Sequence, residues 1–84
     1  MDIKIQLRDF ILNEFGEERE IKTLNPEDDL IKQGLVDSVG VLQIINFIEQ
    51  TLKKRIPDTE ISVDNFRSIN TMAELIAHKA VVVA

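Results

Sequence analysis

Apolar residues recur at spacings of three and four over residues 2–15, where Ile3, Leu7, Phe10, Ile11 and Phe15 fall on one face. That period is the stripe of an amphipathic helix. Gly16 follows directly and reads as its stop. Residues 38–52 repeat the helical period. Val41, Ile45, Ile48 and Leu52 share a face, Leu42 and Ile44 flank it, and Gly40, Gln43, Asn46 and Gln50 point away. Phe47 broadens the apolar face, while Val39 falls outside it as a half-exposed contact point. Residues 62–69 read as a cap, Ser62, followed by one short turn with Phe66 and Ile69 facing the same way. A last helix is predicted from a capping box of Thr71 with Glu74, lined by Met72, Leu75, Ile76 and Ala80. The chain closes on Val81-Val82-Val83-Ala84, β-branched and apolar, for which the sequence supplies no role.

Between the first two helices lies a long connection, residues 17–37. A connection of this length in a small domain needs anchors or a function. Leu24, Leu30 and Ile31 are the predicted anchors. Asn25-Pro26-Glu27-Asp28-Asp29 has the order of a helical turn, with Asn25 capping, Pro26 first and acids after it. Ile56-Pro57-Asp58 breaks the chain again, because proline cannot continue a helix and disfavours helix in the residue before it. No segment alternates with a period of two. The predicted architecture is all-α: a small four-helix bundle, three main helices plus a short third one, with a long first connection. With 84 residues, no internal repeat and no low-complexity linker, the whole of 1–84 is expected to be a single domain.

Composition narrows the function. The hydrophobic fraction of 44% and charged fraction of 30% are those of a folded soluble chain. A domain this size buries only about 60% of the surface its unfolded chain exposes, so a deep active-site cavity is not expected. The net charge of −5 argues against nucleic-acid binding, which needs a basic footprint. The N-terminal run is charged and interrupted, which predicts neither a signal peptide nor membrane insertion, and a cytoplasmic monomer is the default. Acids crowd the region from Asp9 to Asp29 against only Arg19 and Lys22. That cluster reads as a solvated face; the alternative is a lure for basic partners. Lys53-Lys54-Arg55 follows the second helix and complements the negative end of its dipole.

Catalytic and metal chemistry find no support. The chain has no cysteine and one histidine, His78, so nucleophilic triads and zinc sites lack their residues. There is no glycine-rich phosphate loop, and Asp28-Asp29 lacks the frame of a calcium loop. The expectation is no enzyme and no metal. What remains is Asp37-Ser38 at the mouth of the second helix. Either residue is able to cap it, worth about 0.5–2 kcal/mol. Ser38 has no base beside it in sequence, so it would be an acceptor only for a group delivered by another enzyme. The positive end of the helix suits a phosphate bonded to its oxygen.

The run G-L-V-D-S-V-G, the apolar helix after it, then I-P, then N-F-R-S-I-N-T-M-A-E-L-I, is similar to the acyl carrier protein family. The resemblance covers nearly the whole chain. It implies a covalent 4'-phosphopantetheine on Ser38, placed by a phosphopantetheinyl transferase that recognises the flanking Asp37. It also implies a thiol arm carrying an acyl or aminoacyl thioester, supplied by a loading ligase and consumed by downstream transferases or synthases. Val39, with Gln43 and Asn46, would contact those partners. Val41, Ile45, Ile48 and Leu52, with Leu30, Phe66 and Ile69, would enclose an interhelical pocket for cargo. Fatty-acid carriers usually bear several acids along the second helix, whereas here that helix keeps only Glu49. The D-S-x-G start looks closer to D-alanyl carriers and to stand-alone carriers served by separate adenylating ligases. The expected function is therefore a carrier in a specialised pathway. The competing reading is an unmodified helical adaptor module in which Ser38 is only the helix cap.

Overall fold

In the computed structural model, residues 2–82 are described. Helix α1 (Ile3–Ile11) is capped by Asp2, whose carboxylate accepts the Lys4 N–H at 2.8 Å. It continues without a break into a π-turn, Leu12–Gly16. A long connection leads to α2 (Ser38–Thr51). After it come a short strand β1 (Lys54–Arg55), a 3₁₀ turn (Asp58–Glu60), the one-turn helix α3 (Val63–Phe66), α4 (Ile69–His78) and a second short strand β2 (Val81–Val82). The four-helix bundle read from the sequence is the observed architecture.

The core is a continuous cluster drawn from every helix and from the connection. Leu7 and Ile11 of α1, Ile44 and Ile48 of α2, Phe66 of α3, and Ile69, Met72 and Ile76 of α4 are at most 1% exposed. Each such side chain is worth about 1.5–3 kcal/mol of transfer free energy on burial. On α2 the buried stripe is Gly40, Ile44 and Ile48. Val41, Ile45 and Leu52 are only partly buried against it, and Leu42 is exposed. The expected register was thus rotated: Gly40 faces inward rather than outward. The reason lies outside α2, because the π-turn brings Phe15 against the start of the helix at Gly40. Beyond that, Phe47 stacks on Phe10 with ring centroids 4.3 Å apart, and Phe15 meets Phe10 edge-on at 6.3 Å.

The connection is held by backbone as well as by apolar anchors. Leu24, Leu30, Leu35 and Val36 are buried. The Leu30 N–H donates to the Arg67 carbonyl at 2.6 Å, and the Asn70 N–H donates to the Pro26 carbonyl at 3.0 Å, tying the connection to the α3–α4 junction. Asn25 does cap a turn: its side chain accepts the Glu27 N–H at 3.0 Å, while Asp28 accepts the Asn25 N–H at 3.1 Å. The chain then turns at Gly34 (φ +79°), and the Leu30 carbonyl accepts from both Leu35 and Val36. Gly16 is not a left-handed stop. The left-handed residue after α1 is Glu20 (φ 56°).

One further expectation is corrected. The capping box at α4 is Ser68 with Thr71, one turn earlier than Thr71 with Glu74. Ser68 accepts the Thr71 N–H at 3.1 Å and Thr71 accepts the Ser68 N–H at 3.1 Å, so the helix begins at Ile69. Val81 and Val82, left without a role by the sequence, have one. Val81 pairs with Arg55 and Val82 with Lys54 in a two-stranded antiparallel ladder. Lys53, in the left-handed conformation (φ 57°), turns the chain from α2 into that strand. Residues 83–84 of the apolar tail lie outside the described residues.

Candidate functional site

The N-terminus of α2 is assembled from both directions. Upstream, Val36 is 1% exposed and its N–H is bonded to Leu30. Downstream, Gly40 is buried. Between these anchors Asp37, Ser38 and Val39 are exposed. The Asp37 carboxylate accepts the Gly40 N–H at 2.8 Å, and its carbonyl accepts the Val41 N–H at 2.9 Å. Asp37 is therefore the cap, and Ser38 is the first helical residue. The choice left open by the sequence is decided. The Ser38 hydroxyl makes no hydrogen bond with any described residue. The Ser38 and Val39 amides precede the first intrahelical bond and so have no carbonyl partner in the helix.

Two grooves flank this exposed turn. One, of about 430 Å³, runs between α2 and the segment entering α3. Ile31, Val41, Leu42, Ile61 and Val63 line it together with Asp37, Ser38 and Ser62. The other, of about 460 Å³, runs between α1 and α2 and brings together Val39, Gln43 and Asn46 with Phe10, Leu42 and Phe47. The residues predicted as partner contacts thus share one surface. The predicted cargo pocket does not form from its predicted set. Leu30, Ile48, Phe66 and Ile69 are at most 1% exposed and packed in the core, and of the whole set only Val41 lines the groove beside Ser38. A stripe that faces the core is filled by its neighbours at interior density, which leaves the apolar opening to side chains at the rim.

Leu42, Ile61 and Val63 are the rim residues that the sequence reading missed. Leu42 is 64% and Val63 63% exposed. A usable signal was present, since Leu42 lies four residues after Ser38 and so shares its helix face. Elsewhere His78 pairs with Glu74 at 3.3 Å on the exposed side of α4. Among the described residues no group of three acids, histidines or cysteines converges to hold a metal. None of their helices is long and apolar enough to cross a membrane.

The site fits a phosphate ester. Its hydroxyl is exposed, not used in capping, and set at a helix N-terminus with unpaired amides. No curated protein matches the chain significantly. The family model described as the phosphopantetheine attachment site matches residues 6–76, a span that contains most of α1, the connection, α2, α3 and most of α4. The chain belongs to the phosphopantetheine attachment family, of the acyl carrier protein type, whose members carry covalent 4'-phosphopantetheine.

Proposed function

We propose that Ser38 is the attachment residue and that the protein is an acyl or aminoacyl carrier of a specialised pathway. The observation that carries this reading is the division of labour at the start of α2. Asp37 satisfies the cap, which leaves the Ser38 hydroxyl exposed and without a hydrogen-bond partner among the described residues. In this reading a phosphopantetheinyl transferase uses coenzyme A as donor. Ser38 Oγ forms the new bond to phosphorus, adenosine bisphosphate leaves, and the hydroxyl proton passes to the transferase. The arm supplies a terminal thiol that holds cargo as a thioester, the thiol chemistry that this cysteine-free chain lacks. Asp37 holds the first turn in register and presents its second carboxylate oxygen to the transferase. Val39, Gln43 and Asn46 contact the loading ligase and the downstream enzymes.

The specialised role is supported by the outer face of α2. The exposed residues of α2 are Ser38, Val39, Leu42, Gln43, Asn46, Gln50 and Thr51, none of them charged, and the one acid of the helix, Glu49, is half-buried. Partners of such a face recognise apolar and carboxamide groups rather than a row of acids, and their association is weakly steered by charge. A cytoplasmic location agrees with a supply of coenzyme A and adenylated cargo.

The test is the intact mass of the protein after incubation with coenzyme A, magnesium and a broad-specificity phosphopantetheinyl transferase. One added phosphopantetheinyl group on the wild type and none on Ser38→Ala is the expected result. A folded wild type that gains no mass with several transferases would return Ser38 to an ordinary surface position and favour the adaptor reading.

A further inference from the structure

We propose that Gly40 and Phe15 act together as positioning residues for Ser38, so that the end of α1 sets the orientation of the attachment hydroxyl. The proposal rests on the reading of Ser38 as the attachment residue. Ser38 is exposed, and its hydroxyl makes no hydrogen bond with a described residue that would orient it. Its direction is therefore inherited from the backbone of the first turn of α2, and that turn is clamped on the side opposite to Ser38. A methyl group at Gly40 would lie 3.2 Å from Cε1 of Phe15, 3.2 Å from Cγ1 of Val36 and 3.4 Å from Oδ1 of Asp37. The two carbon approaches are closer than ordinary carbon contacts of about 3.5–4.0 Å. The missing side chain is what lets the Phe15 ring and Val36 close onto the helix backbone while Asp37 reaches the Gly40 N–H.

Glycine is otherwise a poor choice inside a helix. Here it sits two residues from Ser38, and Val36, buried and bonded to Leu30, sits two residues before it. Phe15 belongs to the π-turn that ends α1. Such turns insert an extra residue per turn and redirect the side chains that follow. The ring of Phe15 also meets Phe10, which stacks on Phe47 of α2. The clamp is thus continuous with the α1–α2 packing and does not depend on the groove on the other side of Ser38.

A reciprocal set of variants tests this: Gly40→Ala, Phe15→Leu, and the two combined, all in the full chain. Modification is read as the transferase kcat and KM by intact mass, and fold retention by cooperative unfolding. Gly40→Ala should lower kcat/KM by about tenfold, chiefly in kcat, because small misplacements of a reacting group are costly. Phe15→Leu leaves α2 intact and should lower it by about threefold, since the turn loses its support. The combined variant, in which the methyl enters space left by the ring, should return to within about threefold of wild type. Independent defects would instead multiply. Wild-type rates for Gly40→Ala, or a combined variant as slow as the product of the singles, would overturn the proposal.

Hydrogen exchange of the amide at position 40, the donor to Asp37, is read in parallel and needs no modification. Protection lost in Gly40→Ala and regained in the combined variant is expected. Unchanged protection would overturn the clamp even where modification rates shift. If the wild type accepts no group from any transferase, the attachment reading fails, and this exchange pattern alone decides whether Phe15 and Gly40 set the first turn.

Discussion

Replacing Asp37 and Ser38 one at a time by alanine separates capping from attachment. Asp37→Ala removes the bond from the Gly40 N–H, 2.8 Å long, and takes a carboxylate from the positive end of α2. Loss of an N-cap costs about 0.5–2 kcal/mol, typically about 1. The interaction with the helix dipole is largely contained in that figure, because Asp37 is exposed and solvent screens it. Ser38→Ala removes a hydroxyl that bonds to no described residue and introduces a better helix former. Its expected effect is within about 0.5 kcal/mol of zero. In urea, with a slope of about 1–3 kcal/mol per molar, the Asp37→Ala midpoint should fall by about 0.3–1 M. Its Tm should fall by about 4–8 °C. Asp37→Asn, an equally good cap, should recover most of the loss. Equilibrium unfolding followed by far-UV circular dichroism reads all three. A Ser38→Ala protein as destabilised as Asp37→Ala would refute the assignment of the cap, and with it the statement that the Ser38 hydroxyl is unengaged.

Four further outcomes follow from the packing and the backbone. Ile48→Ala, at a fully buried position on α2, should cost about 2–5 kcal/mol. Against a total of about 4–13 kcal/mol for a chain of this length, that variant approaches the unfolding threshold, visible as a low urea midpoint. Leu42→Ala, 64% exposed on the same helix, should stay within about 0.5 kcal/mol of wild type, so an equal loss at both sites would contradict the observed register. A double-mutant cycle of Phe10→Ala and Phe47→Ala should show a coupling of about 0.5–1.5 kcal/mol from their 4.3 Å stack, and strict additivity would deny it. Lys53→Gly should raise stability by about 0.5–1 kcal/mol by relieving a left-handed backbone at the end of α2, with a loss of Tm as the contrary result.

The helices were legible in the sequence alone. Their apolar spacings of three and four, the proline break at Pro57, and the caps at Asn25 and Ser62 are local signals, and local hydrogen bonding honoured them. The class of chemistry was legible through the resemblance alone: G-L-V-D-S-V-G with the downstream N-F-R-S-I segment pointed to a phosphopantetheine carrier, the family that the chain matches. Local pattern could not choose between Asp37 and Ser38 as the cap, because both are good caps. The choice was made by the anchoring of Val36 in the core, which starts the helix at Ser38 and leaves Asp37 in the extended conformation a cap requires.

Tertiary packing decided the rest. The rotation that buries Gly40 comes from Phe15, twenty-five positions earlier, and a helical wheel drawn for α2 alone contains no information about that ring. The capping box moved from Thr71 to Ser68 because Ile69 enters the core beside Phe66 and Asn70 bonds to Pro26. The strand pair of Lys54–Arg55 with Val81–Val82 is too short to show a period, and it joins residues that lie 26 and 28 positions apart, so no local pattern contains it. The groove beside Ser38 follows the same rule. Residues with the strongest core pattern are consumed by close packing, so the opening is lined by Leu42, Ile61 and Val63, whose positions the apolar period alone does not assign.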